Sequence, residues 1–158
     1  MNRRRIWIWA IPALLYAVFV GWYTDFGGPL SEQEIAVYLG RFEEVGLSEE
    51  QSSRIRRFME SDTGRQFLMV NVVDYTDDPP DVEGAEPGES ATELMDRYME
   101  HMYAELFLRA SHPVVVGNAV HAAIDLVGVD SLDTAERWDM GALFRYRSRR
   151  TFLEIVTI

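Results

Sequence analysis

The chain has three histidines, His101, His112 and His121, and no cysteine, so any proton transfer near neutral pH falls first to an imidazole. His121 lies in the apolar run VVVGNAVHAAIDLVG, whose composition predicts a strand. A mid-strand His can face a pocket. Asn71 and Arg145, on two other predicted strands, are the polar partners that could share it. In that arrangement His121 is the candidate general base and Arg145 the group that steadies an anion, with Asn71, His121 and Arg145 as candidate ligand-binding residues. His101 and Glu105 stand four residues apart on a predicted helix, one face of which could offer both to a metal. Such pairs recur by chance on helix surfaces, and no metal site is expected here. His112 precedes Pro113 at a strand start, where a ring caps or packs.

The second cluster is FRYRSRR, residues 144–150, which gathers Arg145, Arg147, Arg149 and Arg150 in a protein of formal net charge −11. Along a strand Arg145 and Arg147 share one face, and Phe144 and Tyr146 the other. Arg149 and Arg150 fall in the first turn of the following helix, beside its positive dipole end. That placement is unfavourable alone, so packing or a partner must hold it. With 26 Asp and Glu in the chain, internal ion pairs are the plainest expectation, and Arg145 is the member left for a ligand.

Other chemistry is thinly represented. The chain has no GxSxG elbow, P-loop, HExxH or dinucleotide fingerprint. Without cysteine, disulfides, thiol catalysis and thiolate metal sites are excluded. The acid excess argues against nucleic acid, whose phosphates demand a basic face. Met95, Met99 and Met102 mark a helix face that reads as core, and no cofactor is expected. Trp138 is expected in the core, and Asp139 is expected to satisfy a nearby backbone group or Arg.

The elements that must position these residues begin with an anchor. After a basic tail, residues 1–5, the stretch Ile6–Tyr23 carries no charge over 18 residues. As a helix it would be roughly 27 Å long, close to the thickness of a bilayer's hydrocarbon core. Trp7 and Trp9 near one end, with Trp22 and Tyr23 near the other, suit an aromatic belt. A cleaved signal peptide shares the basic start and apolar centre, but Val18-Phe19-Val20 and Thr24-Asp25-Phe26 fit its small-residue cleavage site poorly, so an uncleaved anchor is expected. Arg3, Arg4 and Arg5 precede the stretch and the next basic residue is Arg41, so the N-terminus is expected in the cytoplasm. The rest is then expected in a bacterial periplasm, as a single-pass protein of the inner membrane.

Capping boxes open the next two segments. Ser31 with Glu34 starts one helix, stapled by Leu30 on Ile35, and Ser48 with Gln51 starts a second. These helices, residues 30–60, read as a linker with little core of their own. From residue 65 to 158 the pattern becomes β-α-β-β-α. Residues 67–75 form a strand, and residues 77–90 a solvated loop with three Pro and six acids. A capping box of Ser90 and Glu93 opens a helix from Ala91 to about Ala110. A long strand begins at Val114, then comes a strand over 138–146, and Ser148 caps a last helix. That order is a ferredoxin-like β-α-β-β-α-β unit without its final strand, so the chain is expected to be α+β. Its natural product is expected to continue past Ile158.

The stretches GRQFLMVNVVDY, DRYMEHMYAELFLRASHPVVVGNAVHAA and ERWDMGALFRYRSRRTFLEIV resemble a domain-of-unknown-function family of dimeric α+β barrels. That family is a structural cousin of the EthD-like proteins and the antibiotic-biosynthesis monooxygenases. The most specific portions are the strand of Asn71, HPV with Gly117, the Trp138–Asp139 pair and RYRSRR-x-FLEI. The resemblance implies that two copies pack sheet to sheet around a pocket, and it implies no reaction. Together these readings predict a membrane-tethered periplasmic module: a non-catalytic auxiliary subunit of a larger membrane complex, or a small-ligand-binding protein. Its expected partners are the bilayer and either other membrane-protein subunits or a second copy. The competing expectation is a cofactor-free small-barrel enzyme, a monooxygenase or isomerase, acting on a hydrophobic compound.

Overall fold

A computed structural model of the chain describes residues 3–44, 46–80, 82, 85–119 and 138–157. Among the described residues, five helices and three strands run in the order α1 (Arg3–Tyr23), α2 (Glu32–Glu44), α3 (Glu49–Glu60), β1 (Phe67–Val73), α4 (Ala91–Leu108), β2 (His112–Asn118), β3 (Met140–Tyr146) and α5 (Arg149–Val156). The chain is therefore mixed α+β, with one apolar N-terminal helix and a three-stranded antiparallel sheet. Two compact units divide it. One holds the chain through Phe67, Leu106–Ser111 and the residues from Tyr146 on; the other holds Leu68–Glu105 and His112–Arg145.

In the first unit, α1 contributes none of its described residues to the core. Its stretch Ile6–Tyr23 has mean hydropathy 1.7 and none of it is buried inside the protein. By length and composition it can cross a membrane, a property that signal sequences share. The remaining helices of this unit form a core from Leu30, Ile35, Tyr38, Leu39, Met59 and Leu153, edged by Phe42, Ile55, Phe58 and Phe152. Leu153, wholly buried, comes from α5, so the thin apolar stripes of α2 and α3 are completed by a helix more than ninety residues further along the chain. The caps form as their residue types demand. Glu34 Oε2 accepts from the Ser31 amide at 2.8 Å, while Ser48 and Gln51 make the reciprocal pair on α3.

In the second unit the sheet order is β1-β3-β2, which sets β3 between the other two strands. β2 and β3 pair antiparallel, with Val115 opposite Leu143, Gly117 opposite Gly141 and an irregularity between Pro113 and Val115. Asp139 anchors the start of β3. Its backbone N–H donates to the Val73 carbonyl at 2.8 Å, and its carboxylate accepts from the Tyr75 amide at 2.6 Å. This is the backbone role read for Asp139 from its position.

Two expectations change. Trp138 is 47% exposed rather than in the core, because the strand begins only at Met140 and leaves the indole on the rim of the sheet. The long strand predicted from Val114 starts two residues earlier, at His112, and is described as far as Asn118. His121 and its neighbours lie outside the described residues.

Candidate functional site

Alternation along the strands decides whether Asn71 and Arg145 can share a ligand. Phe67 stacks on Tyr146 with ring centroids 5.4 Å apart, so the odd-numbered residues of β1 and the even-numbered residues of β3 occupy one face of the sheet. Asn71 belongs to that face. Arg145 belongs to the other, with Leu143 and Gly141. The structure therefore does not bring these two together, and His121 lies outside the described residues. Arg145 is only 6% exposed, buried on its own face.

Away from the buried Arg145, the face opposite Asn71 is apolar and exposed along β1. Leu68, Val70 and Val72 of β1 are 55%, 70% and 46% exposed. With Val115, Gly117, Leu143 and Trp138, Val70 lines a shallow concavity of about 510 Å³. On α4, His101 is exposed and Glu105 half-buried, and no group of three metal-ligating side chains forms among the described residues. The three Met of α4, Met95, Met99 and Met102, are all half-buried. His112 Nδ1 lies 3.1 Å from the Pro113 carbonyl oxygen, the local packing that its position before a proline suggests.

The arginine cluster finds acids in the first unit. Ser148 caps α5 by accepting from the Thr151 amide at 3.1 Å, which fixes Arg149 and Arg150 in the first turn. Arg150 reaches across to α2. Its Nε donates to Glu34 at 2.7 Å, its Nη2 to the other Glu34 oxygen at 3.3 Å, and its Nη1 to the Gly28 carbonyl at 3.3 Å. Asp25 lies 3.5 Å from the same guanidinium. Arg149 lies over the Phe58 ring, bonds to the Phe58 carbonyl and to Ser61 Oγ, and faces Asp62 at 3.9 Å. Three acids thus gather at the N-terminus of α5. They offset both the arginines and the helix's own positive end, the conflict visible in the sequence.

The acids respond as their surroundings require. The Arg150 guanidinium, with the Ser31 amide and hydroxyl, holds the Glu34 carboxyl down to about 2. Burial pushes the Asp25 carboxyl up, but the Ser148 hydroxyl, the Gly27 amide, Arg150 and Arg147 together hold it below its ordinary value.

This lattice grips the segment that leaves α1. Arg147 Nη1 donates to the Trp22 carbonyl at 3.0 Å, satisfying an orphan acceptor at the C-terminus of α1. Gly28 and Pro29 carry the Arg150 bonds, and the Leu30 amide donates to Asp62 at 2.9 Å. Gly64, at φ +67°, lies so close to Gly28 that an added Cβ would meet its carbonyl carbon at 2.4 Å. Residues 24–30 are thereby clamped between the α3–β1 turn and the start of α5. The cluster and its acid partners as a class are legible in the sequence; the clamp is not. Its signals are the Gly27-Gly28-Pro29 and Asp62-Thr63-Gly64 turns, which mark irregular backbone without saying that the two turns meet.

No protein-family model, curated protein or solved structure matches the chain.

Proposed function

We propose that the chain is a membrane-tethered module of the bacterial inner membrane. In this reading α1 crosses the bilayer with Arg3, Arg4 and Arg5 in the cytoplasm, and residues 24–158 lie in the periplasm as a non-catalytic auxiliary subunit of a larger membrane complex. The observation that carries it is the α1 stretch: 18 apolar residues, none of them buried inside the protein. Exposed in water, such a cylinder is strongly unfavourable; in lipid its backbone is satisfied internally and its side chains are at home. The clamp on residues 24–30 supports the same reading, since it fixes the first unit close to the membrane exit instead of on a free tether.

The uncovered apolar face of Leu68, Val70 and Val72 supports association with a second copy, sheet against sheet, as the family resemblance implies. The β1-β3-β2 order supports a ferredoxin-like unit, in which β3 divides a β-α-β crossover. A non-catalytic role is supported by the separation of Asn71 and Arg145 on opposite faces. Gentle detergent extraction from native membranes, with mass measurement of the particle and identification of its components, tests the proposal. The expected particle contains at least two copies together with other membrane subunits. A monomer or a lone dimer, extracted without other subunits, would overturn the subunit reading.

A further inference from the structure

We infer that the first unit also docks on the lipid surface, through Phe107 and Leu108 at the end of α4, beside the point where α1 leaves the bilayer. The inference rests on α1 being a membrane anchor and goes beyond it, because an anchor alone says nothing of what else touches lipid.

α4 ends at Leu108 in a Schellman-type closure. The Ser111 amide donates back to the Leu106 carbonyl at 2.8 Å and the Ala110 amide to Phe107 at 3.1 Å, with Ala110 at φ 51°. The Leu108 carbonyl is left over by that pattern. It accepts from the Trp22 indole Nε1 at 3.2 Å. Trp22 is the next-to-last residue of the apolar stretch, the level at which a belt tryptophan meets the headgroups. The hydrogen bond therefore sets the α4 end at that level too.

The side chains there are the wrong kind for water. Leu108 is 71% exposed and Phe107 52% exposed, while Phe26, just beyond α1, is 73% exposed. The adjoining Leu106 and Ala110 are each 1% exposed, so the turn itself is firmly packed and presents its two neighbours outward. Two arginines lie alongside: Arg109, directly after Leu108 and 3.8 Å from Glu154, and Arg147, which holds the Trp22 carbonyl. Apolar side chains inserted at the headgroup boundary, flanked by arginines, form a recognised interfacial arrangement. The patch is continuous with the lipid-facing surface of α1 through Trp22, and this selects lipid as its occupant. An acidic protein would otherwise be repelled by anionic headgroups, so a local apolar foot is the means by which it can lie close.

Because the chain has no cysteine, single replacements carry an environment-sensitive fluorophore to one place only. The full-length chain is reconstituted in phosphatidylethanolamine–phosphatidylglycerol vesicles bearing a nitroxide either near the headgroup or near the acyl-chain end. Labels are placed through Leu14→Cys in α1, Leu108→Cys, and Val37→Cys on the exposed side of α2. The expected result is deep-nitroxide quenching at 14, headgroup-nitroxide quenching at 108 with blue-shifted emission, and neither at 37. Quenching at 14 with none at 108 overturns the docking inference and leaves the anchor standing. Blue-shifted emission at 108 without lipid quenching overturns it in favour of a protein cover, a second copy in the purified sample. Absence of quenching at 14 removes the anchor and the docking inference together.

Discussion

Replacing Gly64 by Ala probes the clamp that ties the α1 exit to the first unit, and its cost can be worked from two glycines of the same chain. Gly64 and Gly46 both hold positive φ, +67° and +79°, so alanine pays the left-handed backbone penalty of about 1 kcal/mol at either. At Gly46 nothing lies within 4 Å of the new Cβ. At Gly64 the Cβ would meet Gly28 C, Pro29 N and Gly28 Cα at 2.4, 2.6 and 2.7 Å, all backbone atoms that cannot rotate away. The two turns must separate, which breaks the Leu30–Asp62 bond and loosens the Arg150 bonds to Gly28 and Pro29. Adding to the backbone penalty about 1 kcal/mol for the bond broken and about half that for each bond loosened, Gly64→Ala should cost about 3 kcal/mol against about 1 for Gly46→Ala. For a chain of this size the thermal midpoints should fall by roughly 6–12 °C and roughly 2–4 °C. Far-UV circular dichroism of the full chain in detergent micelles reads both melts. Equal losses would refute the close approach of the two turns.

The same geometry fixes the outcome of several other perturbations. Arg150→Ala should destabilise by about 2–3 kcal/mol, because Asp25, with only 10% of its side chain exposed, loses its ion-pair partner and keeps only the weaker influence of Arg147; chemical denaturation measures this. A double-mutant cycle of Arg150→Ala with Glu34→Gln should return a coupling of about 1 kcal/mol, the modest value proper to a pair whose Glu is 37% exposed. The Glu34 carboxyl is lowered to about 2 in the folded chain from an ordinary 4.5, so its stabilisation is fully present above about pH 4.5 and lost as pH falls toward 2. After discounting for solvent screening the loss should be about 1 kcal/mol, and denaturation midpoints of Glu34→Gln should lack that component. Leu153→Ala, at a wholly buried position of α5, should cost about 2–5 kcal/mol and loosen α2 and α3 with it; amide exchange in those helices rising to the surface rate would confirm the shared core.

Local signals are legible in the sequence where their physics is local. The capping boxes at Ser31, Ser48 and Ser90 form as read, because a hydroxyl and a carboxylate or amide three residues apart need only the helix itself. The strand of FLMVNVV is likewise legible from its β-branched and aromatic composition, and α4 from its apolar period. Long-range pairing is what a sequence cannot yield. α2 and α3 read as a linker because their stripes are thin, and only the remote Leu153 and Phe152 complete a core around them. Asn71 and Arg145 look like a pair because each stands on a strand. Their opposition comes from register across β1 and β3, which the Phe67–Tyr146 stack sets and no single strand encodes. The arginine run lies between these cases: its acid partners are expected as a class, while Asp25, Glu34 and Asp62 become identifiable only when two loop turns and the start of α2 meet at one helix end.

In the proposed topology α1 spans the membrane and the acidic folded part lies on the periplasmic side. Protease added to spheroplasts of cells making the chain with an N-terminal epitope tag measures this most directly. The expected result is loss of the full-length band and survival of a short tagged fragment that stays with the membrane pellet. A full-length band that withstands the protease, or a tag absent from the membrane while the folded part is released as soluble protein, would contradict it.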